Sequence, residues 1–279
     1  MSNKKLYFVT DAHLGAGDDS LQREQELCQL LDRIKEDAAM VVFLGDMFDF
    51  WFTYRYVVPK GHVRLLGQMA ELADAGVELH FFIGNHDMWL FDYLKDEMNI
   101  TMHDNPDLLE FDGRRFLVGH GDGLGHLDRR YDLIRRIFRC RLNQRLFSLL
   151  PSGLTFGIAH AWSSSSRKGH IKKNPKIFEY QGDDREGIVL YCRERLAQEP
   201  FDYCVFGHRH TPLVRDIAAP GGHSSTYVNV GDWLLHRNYA VYSDGTITLH
   251  DLKTPIGQPH PSIPPARLRT QPDNAPAPS

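Results

Sequence analysis

The sequence predicts an α/β fold in which parallel strands come first and antiparallel strands follow. In the N-terminal part, short apolar runs alternate with amphipathic helical patterns, which is typical of consecutive β-α-β units. Near the C-terminus, residues 225–252 alternate β-forming and polar residues around an Asp-Gly turn. A helical, basic segment separates the two regions. Together these observations favour a mixed sheet or two packed sheets with a helical insert.

The individual elements follow from their patterns. The apolar residues of the two N-terminal helices recur at helical spacing, and Gly76 closes the second helix. A hairpin is expected around Asp112 and Gly113, and another around Asp244 and Gly245, because Asp-Gly favours the tight turns of hairpins. Strands are predicted at 6–10, 40–45, 78–84 and within 108–120, and helices at 21–37 and 62–76.

The composition indicates a folded protein with a sizeable core. The chain has 279 residues, 42% hydrophobic residues and a net charge of -4, which singles out no partner. Four cysteines without a CxxC pair are expected to be buried, reduced thiols. No signal peptide and no apolar stretch of about 18 residues is evident, so a soluble cytoplasmic protein is expected.

The charge is unevenly distributed along the chain. Between Arg129 and Lys176 there are twelve Lys or Arg residues and one acid, Asp132. The tail 254–279 contains eight prolines among polar residues, a composition typical of disorder. The predicted organisation is therefore one domain over 1–253, with a basic helical insert at about 124–200, followed by a disordered tail over 254–279.

Polar residues follow five of the apolar strands, and in four cases a glycine comes immediately before the first of them. Glycine allows the backbone to turn tightly, and the carboxyl ends of parallel strands meet at one edge of a sheet. Alone, a strand-end Asp is more often a helix cap and a lone His more often a hydrogen-bonding residue. Their repetition instead predicts a shared site formed by Asp11, His13, Asp46, Asn85, His120, His208 and His210.

This set of side chains indicates a metal site. Carboxylate, amide and imidazole ligands without cysteine suit Mn²⁺, Fe²⁺ or Zn²⁺. Seven ligands are too many for one ion with an open position, and they suit two ions about 3.5–4 Å apart that share a carboxylate. Two ions at this distance lower the pKa of a shared water and so generate a hydroxide nucleophile near neutral pH.

The motifs "DAH", "GDMFD", "GNHD", "GHGD" and "GHRH", in this order, resemble the calcineurin-like metallophosphoesterases over residues 6 to about 250. The resemblance implies a four-layer α/β/β/α sandwich with a dinuclear centre. It assigns Asp11, His13, Asp46 and His210 to the first ion, and Asp46, Asn85, His120 and His208 to the second.

Two neighbouring residues are expected to act beside the metals. His86 follows a ligand directly, so it is placed at the rim, where it would protonate the leaving oxygen or hydrogen-bond the phosphoryl group. Asp87 would either orient His86 or cap the next helix. Asp49 and Asp122 are candidates for orienting the ligands, although simple loop caps would have the same pattern.

The insert has two interpretations. Its apolar residues at helical spacing would ordinarily pack on the core. Alternatively, the insert is a lid whose apolar face accepts an acyl chain and whose basic face meets an anionic membrane. Few aromatic residues are interleaved for base stacking, so nucleic acid is not expected as a partner. The apolar face comprises Leu133, Ile134, Ile137, Phe138, Leu142, Leu146, Phe147 and Leu150.

Within the superfamily, the layout most resembles the UDP-2,3-diacylglucosamine diphosphatases of lipid A synthesis. The resemblance rests on "GDMFDFW", an insert of about 85 residues and "SSSSRKGH" within it. It implies cleavage to UMP and a lipid monosaccharide phosphate, with two ions, Mn²⁺ foremost, at the cytoplasmic face of the inner membrane. It also implies substrate contacts from Arg167 and Lys168. Enterobacterial members have Arg where this chain has His86.

Two alternatives remain. One is another small-molecule phosphodiesterase, for example of cyclic nucleotides; the other is a non-catalytic scaffold with the same fold. The intact set of seven ligands argues against the scaffold. The protein serine/threonine phosphatases have GDxxDRG and GNHE, which differ from "GDMFDFW" and "GNHD".

Overall fold

A computed structural model describes residues 4–126, 129–159, 180, 182–253 and 266–267. It contains two β-sheets that pack face to face, with helices against their outer faces. The larger sheet has seven strands and the smaller has five. The first four strands of the chain pair in parallel, as the alternation of strands and helices predicts.

The strands of the larger sheet are β1 (Lys5–Val9), β2 (Ala38–Phe43), β3 (Glu78–Phe82), β4 (Thr101–His103), β10 (Asn238–Ser243), β11 (Thr246–Asp251) and β12 (Ala266–Arg267). Those of the smaller sheet are β5 (Asp107–Phe111), β6 (Arg114–Gly119), β7 (Tyr203–Phe206), β8 (Leu213–Ala218) and β9 (Ser224–Asn229). The strand order is β12-β11-β10-β1-β2-β3-β4 in the larger sheet and β5-β6-β7-β9-β8 in the smaller. The helices are α1 (Ser20–Ile34), α2 (Val63–Asp74), α3 (Tyr93–Met98), α4 (Arg129–Arg139), α5 (Arg141–Ser148) and α6 (Gly187–Gln198), and residues 152–159 are also helical.

Alternation along the strands produces the four layers. In β1, Tyr7 and Val9 face α1 and α2, whereas Leu6 and Phe8 face the smaller sheet. The outer face of the smaller sheet packs on α6, for example through Cys204. The order is therefore helices, sheet, sheet, helix, and the predicted α/β/β/α sandwich is confirmed.

Both predicted hairpins are present. Asp112 and Gly113 have φ values of 51° and 68°, and Asp244 and Gly245 have 51° and 72°, as a two-residue turn with left-handed backbone requires. Strand β12 lies in the segment for which the sequence predicts disorder and pairs with β11; the remainder of that segment lies outside the described residues. Among the described residues, no helix has the length and apolar character needed to cross a bilayer.

The described helices of the insert do not bury the whole of their predicted apolar face. Phe138 and Phe147 pack against Trp89 of the core. The other six are exposed, because the apolar stripe is wider than the contact with the core: Leu133, Ile134, Ile137, Leu142, Leu146 and Leu150. Of the cysteines, Cys192 and Cys204 are buried as expected, Cys28 is partly buried, and Cys140 is exposed.

Candidate metal centre

The seven predicted ligands come together at the carboxyl ends of five strands. Asp11 and His13 follow β1, Asp46 follows β2, and Asn85 follows β3. His120 follows β6 and the last two histidines follow β7 of the other sheet. The site therefore lies where corresponding edges of the two packed sheets meet, and both sheets contribute ligands.

One group of side chains has Asp11 at its centre. Its Oδ1 atom lies 3.4 Å from Nε2 of His210 and 3.6 Å from Nε2 of His13. Nε2 of His13 is also 3.7 Å from Oδ2 of Asp46. These potential ligand atoms are close enough for one cation to contact those of Asp11, His13 and His210 together.

A second group has His120 at its centre. Its Nε2 atom lies 3.4 Å from Oδ2 of Asp46, 3.3 Å from Oδ1 of Asn85 and 3.2 Å from Nδ1 of His208. Nδ1 of His120 is 2.8 Å from the carbonyl oxygen of Leu44, so it donates there, and Nε2 is the nitrogen directed at the other potential ligands. Oδ2 of Asp46 belongs to both groups, which is the geometry that a bridging carboxylate needs.

The backbone around the site is held in an uncommon conformation. Five of the seven predicted ligands have left-handed φ values between 43° and 65°, which non-glycine residues rarely adopt outside functional sites. The neighbouring glycines permit close approach of the chain. A Cβ on Gly84 would lie 2.2 Å from Oδ1 of Asp46, and one on Gly207 would lie 2.1 Å from Oγ1 of Thr10. The five with left-handed φ are Asp11, His13, Asp46, His208 and His210.

The residues present fit divalent cations. Oδ1 of Asp11 and both ring nitrogens of His13 are buried without a hydrogen-bond partner in the described structure, as expected for atoms that bind a metal. Burial opposes a charge on His13, yet the surrounding carboxylates of Asp11, Asp49 and Asp46 raise its pKa to about 10. The carboxylates thus favour a positive charge at this place. The oxygen and imidazole donors, with no thiol, match the predicted class of metal.

His86 lies at the rim, as the sequence predicts, with its side chain 19% exposed against 4% for His13. Its Nδ1 atom is 2.9 Å from the carbonyl oxygen of Asp49 and 3.6 Å from the Asp49 carboxylate. Burial lowers the pKa of His86, and Asp46 opposes the effect.

Asp87 is fully buried, whereas its neighbour His86 lies at the rim of the site. Its buried carboxylate accepts backbone N–H groups from Met47 at 2.9 Å and Gly84 at 2.8 Å, and so ties together the loops after β2 and β3. Burial, followed by the charge of Asp46, raises the pKa of Asp87 to about 7. The carboxylate that faces the His86 ring is that of Asp49.

The structure adds Asp232, which sequence reasoning missed. This fully buried residue places Oδ2 3.2 Å from Nδ1 of His210. Although burial raises it, hydrogen bonds from His210 and His236 hold the pKa of Asp232 well below its usual range. The sequence does contain a pattern that could have identified Asp232: Gly231 and Asp232 follow β9 in the same way as Gly45 and Asp46 follow β2.

Arg23 of α1 is the other residue that the sequence did not reveal. The guanidinium is buried and donates from Nε to the carbonyl oxygen of Ala12 at 3.1 Å and from Nη2 to that of His13 at 3.1 Å. A third bond from Nη2 goes to the carbonyl oxygen of Ala16. Arg23 therefore holds the loop that carries the first two ligands. Its place in an amphipathic helix gives no hint of these contacts.

The insert contacts the site through α4. Nε of Arg135 lies 3.1 Å from Oδ2 of the buried Asp122, which is two residues after His120. Nε1 of Trp89 donates to the carbonyl oxygen of Phe138 at 2.9 Å. The predicted substrate contacts Arg167 and Lys168 lie outside the described residues.

The sequence is similar to known proteins. Residues 4–212 match the family model for calcineurin-like phosphoesterases. A UDP-2,3-diacylglucosamine hydrolase of Porphyromonas gingivalis is 38% identical over 260 residues, which cover 89% of this chain and 98% of that protein. A hydrolase of the same name from Aeromonas salmonicida is 27% identical and covers 90% and 95%. Among solved structures, Yfce, a phosphoesterase from E. coli, has 15% identity and a TM-score of 0.42 and covers 88% and 91%. The chain belongs to the calcineurin-like phosphoesterase family.

Proposed function

We propose that the protein hydrolyses the pyrophosphate of UDP-2,3-diacylglucosamine to UMP and 2,3-diacylglucosamine 1-phosphate. The observation that carries this proposal is the match to relatives of that name over almost their whole length, at 38% identity for the Porphyromonas gingivalis hydrolase. The convergence of all seven predicted ligands supports an active enzyme rather than a scaffold.

Two divalent ions, Mn²⁺ foremost, would be held at the two groups of side chains described above. Asp11, His13, Asp46 and His210 would bind the first, and Asp46, Asn85, His120 and His208 the second. Such a pair supplies a nucleophile at neutral pH and neutralises charge on phosphoryl oxygens.

His86 would supply the proton for the leaving group. Because a carbonyl oxygen only accepts hydrogen bonds, Nδ1 of His86 donates to the backbone carbonyl oxygen of Asp49. The proton for the leaving group would therefore be the second one, which Nε2 carries only in the imidazolium form. Nε2–H of the imidazolium then donates to the departing phosphate oxygen. Asp87 would act indirectly, by fixing the loops on which Asp46 and His86 are carried.

The insert would bind the acylated part of the substrate and an anionic membrane surface. Leu142 and Leu146 of α5 are 63% and 56% exposed, beside exposed Arg141 and Arg145. Apolar side chains among arginines suit the boundary between acyl chains and anionic headgroups. Arg167 and Lys168 would contact the substrate's phosphates.

Turnover measurements test the proposed reaction. UMP release is measured with Mn²⁺ from UDP-2,3-diacylglucosamine and from a UDP-sugar without acyl chains, alongside a bis-aryl phosphate and a cyclic nucleotide. We expect the acylated nucleotide to have the highest kcat/KM. Hydrolysis of the cyclic nucleotide without UMP release would favour the small-molecule phosphodiesterase, and failure to hydrolyse any of the four would favour the scaffold.

Vesicle binding tests the membrane contact. Binding should increase with anionic lipid and decrease with salt, since each basic residue near such a surface contributes about 1 kcal/mol. Leu142→Ser should weaken binding, whereas Leu235→Ser, at a residue 62% exposed outside the insert, should leave it unchanged. Equal effects of the two substitutions would remove the insert from the contact.

A further inference from the structure

We propose that Asp232 is a positioning residue that fixes the tautomer of His210 and thereby controls one of the two ion positions. The inference rests on the proposed assignment of His210 as a metal ligand. Asp232 follows β9, a strand that carries no other proposed ligand, and its carboxylate is fully buried.

The carboxylate of Asp232 is fixed by its own loop. Oδ1 accepts the backbone N–H groups of Leu235 at 2.7 Å and His236 at 2.9 Å. Oδ2 is thereby directed at Nδ1 of His210 at 3.2 Å and Nδ1 of His236 at 3.3 Å. The backbone N–H of the next residue, Trp233, donates to the carbonyl oxygens of Thr10 at 3.1 Å and Asp11 at 3.2 Å. One short loop thus holds both His210 and the strand end that carries Asp11.

This contact determines which nitrogen of His210 can bind a metal. A carboxylate only accepts hydrogen bonds, so Nδ1 of His210 carries the proton. Nε2 is then the nitrogen left for the ion, and it lies 3.4 Å from Oδ1 of Asp11, on the side of the predicted ion. Carboxylate partners of this kind fix the orientation of metal-binding histidines and increase their basicity.

The second ion position is arranged differently. Nδ1 of His120 donates to the backbone carbonyl oxygen of Leu44, which no side-chain substitution removes. A change at Asp232 should therefore affect the ion held by Asp11, His13 and His210 and spare the one held by Asn85, His120 and His208. This selectivity separates a positioning role from general damage to the site.

Replacement by asparagine makes a sharp test. The two backbone N–H groups require an acceptor at the Oδ1 position, so the amide oxygen stays there and the amide NH₂ takes the place of Oδ2. The NH₂ group then faces Nδ1 of His210 as a donor. The histidine must adopt the other tautomer, with the proton on Nε2, where it blocks metal binding. Alanine leaves the ring free to adopt either tautomer.

The experiment measures Mn²⁺ per chain and Mn²⁺ affinity for wild type, Asp232→Asn, Asp232→Ala and the control Asp216→Asn. Asp216 is an exposed carboxylate that accepts a hydrogen bond from Thr226. We expect Asp232→Asn to lower the affinity at one position by roughly 10- to 100-fold and to convert a spin-coupled Mn²⁺ pair into a single ion. Asp232→Ala should lower the Mn²⁺ affinity less than Asp232→Asn does, and Asp216→Asn should leave both the Mn²⁺ content and the affinity unchanged.

A purely structural role predicts the reverse order, because alanine removes all the hydrogen bonds of the carboxylate and leaves a cavity. Metal loss greater for alanine than for asparagine, or equal loss from both positions, would overturn the proposal. Two-dimensional NMR of the labelled imidazole nitrogens in the metal-free protein is a second, independent measurement, because it shows whether Nδ1 of His210 is protonated. Nδ1 of His210 should carry a proton in wild type and none in Asp232→Asn, and an unchanged state of Nδ1 would equally overturn the proposal.

The metal measurements need no substrate, so they separate this inference from the proposed reaction. Two bound ions with selective loss in Asp232→Asn, but no UMP release by wild type, would retain the role of Asp232 and reject the reaction. UMP release by wild type with two tightly bound ions in Asp232→Asn would do the opposite.

Discussion

Asp46 lies between His13 and His120, with its Oδ2 atom 3.7 Å from Nε2 of the first and 3.4 Å from Nε2 of the second. The first histidine follows a strand of the seven-stranded sheet and the second a strand of the five-stranded sheet. One carboxylate oxygen therefore connects the ligand groups of both sheets. Its other oxygen accepts the backbone N–H of His86 at 2.8 Å, which ties the rim histidine to the same residue.

Replacing Asp46 with alanine should remove both metal ions and almost all activity, because each ligand group loses the oxygen that the two share. Metal content and turnover in the presence of Mn²⁺ measure the effect. Two tightly bound ions and near-wild-type turnover in Asp46→Ala would contradict a shared carboxylate.

His86→Gln should keep both ions and lower kcat by roughly 10²–10⁴-fold, since a positioned acid contributes a factor of that size. His13, Asp46 and His86 also lie close enough together to hold a cation, so a ligand role for His86 is the alternative that this variant tests. Metal content decides the matter: if His86→Gln loses an ion, His86 is a ligand and not the acid.

Gly207→Ala should destabilise the protein and weaken metal binding. The added Cβ would lie 2.1 Å from Oγ1 of Thr10 and 2.6 Å from Oδ2 of Asp11, and overpacking of this kind costs about 1–3 kcal/mol. Gly67→Ala in α2 is the matched control, because nothing lies within 4 Å of its Cβ and alanine stabilises a helix by about 0.5–1 kcal/mol. Chemical denaturation of both variants should give changes of opposite sign. Equal stability of the two would show that the strand end tolerates a side chain.

His236 should make the stability of the metal-free protein depend on pH. Its hydrogen bond to Asp232 raises the pKa of His236 above 6.5, so the folded protein binds this proton more tightly than the unfolded chain. The resulting stabilisation is complete below about pH 6.5 and is lost as the pH rises through the folded pKa. The difference in free energy of unfolding between wild type and His236→Gln should therefore shrink as the pH rises. A difference that grows with pH would have the wrong sign.

The sequence predicts those parts of the fold and site that depend on local pattern. An apolar strand comes directly before each of five predicted ligands: Asp11, Asp46, Asn85, His120 and His208. Parallel pairing of neighbouring strands then brings the ends of these strands together. Asp-Gly turns likewise fix the hairpins, since their left-handed backbone is a local property. These predictions needed no knowledge of distant contacts.

The rest depends on contacts between distant parts of the chain. Arg23 donates hydrogen bonds to backbone carbonyl oxygens. Every residue has such an oxygen, so the sequence does not show which ones Arg23 contacts. The contact of Asp232 with His210 arises only after β9 is placed beside β7. Helical spacing places Phe138 and Leu142 in the same predicted apolar face. In the structure Phe138 packs against Trp89 of the core, whereas Leu142 is exposed to solvent.

Reconstitution of the metal-free protein is the most direct test of the central claim, that two ions held at these strand ends hydrolyse UDP-2,3-diacylglucosamine. Mn²⁺ is added stepwise to chelator-treated protein, and UMP release is measured against bound Mn²⁺ per chain. Turnover should be negligible without metal and should reach its plateau only when the second ion is bound. Full UMP release from metal-free protein or at a single ion per chain would contradict the dinuclear account, and two bound ions without UMP release would contradict the proposed substrate.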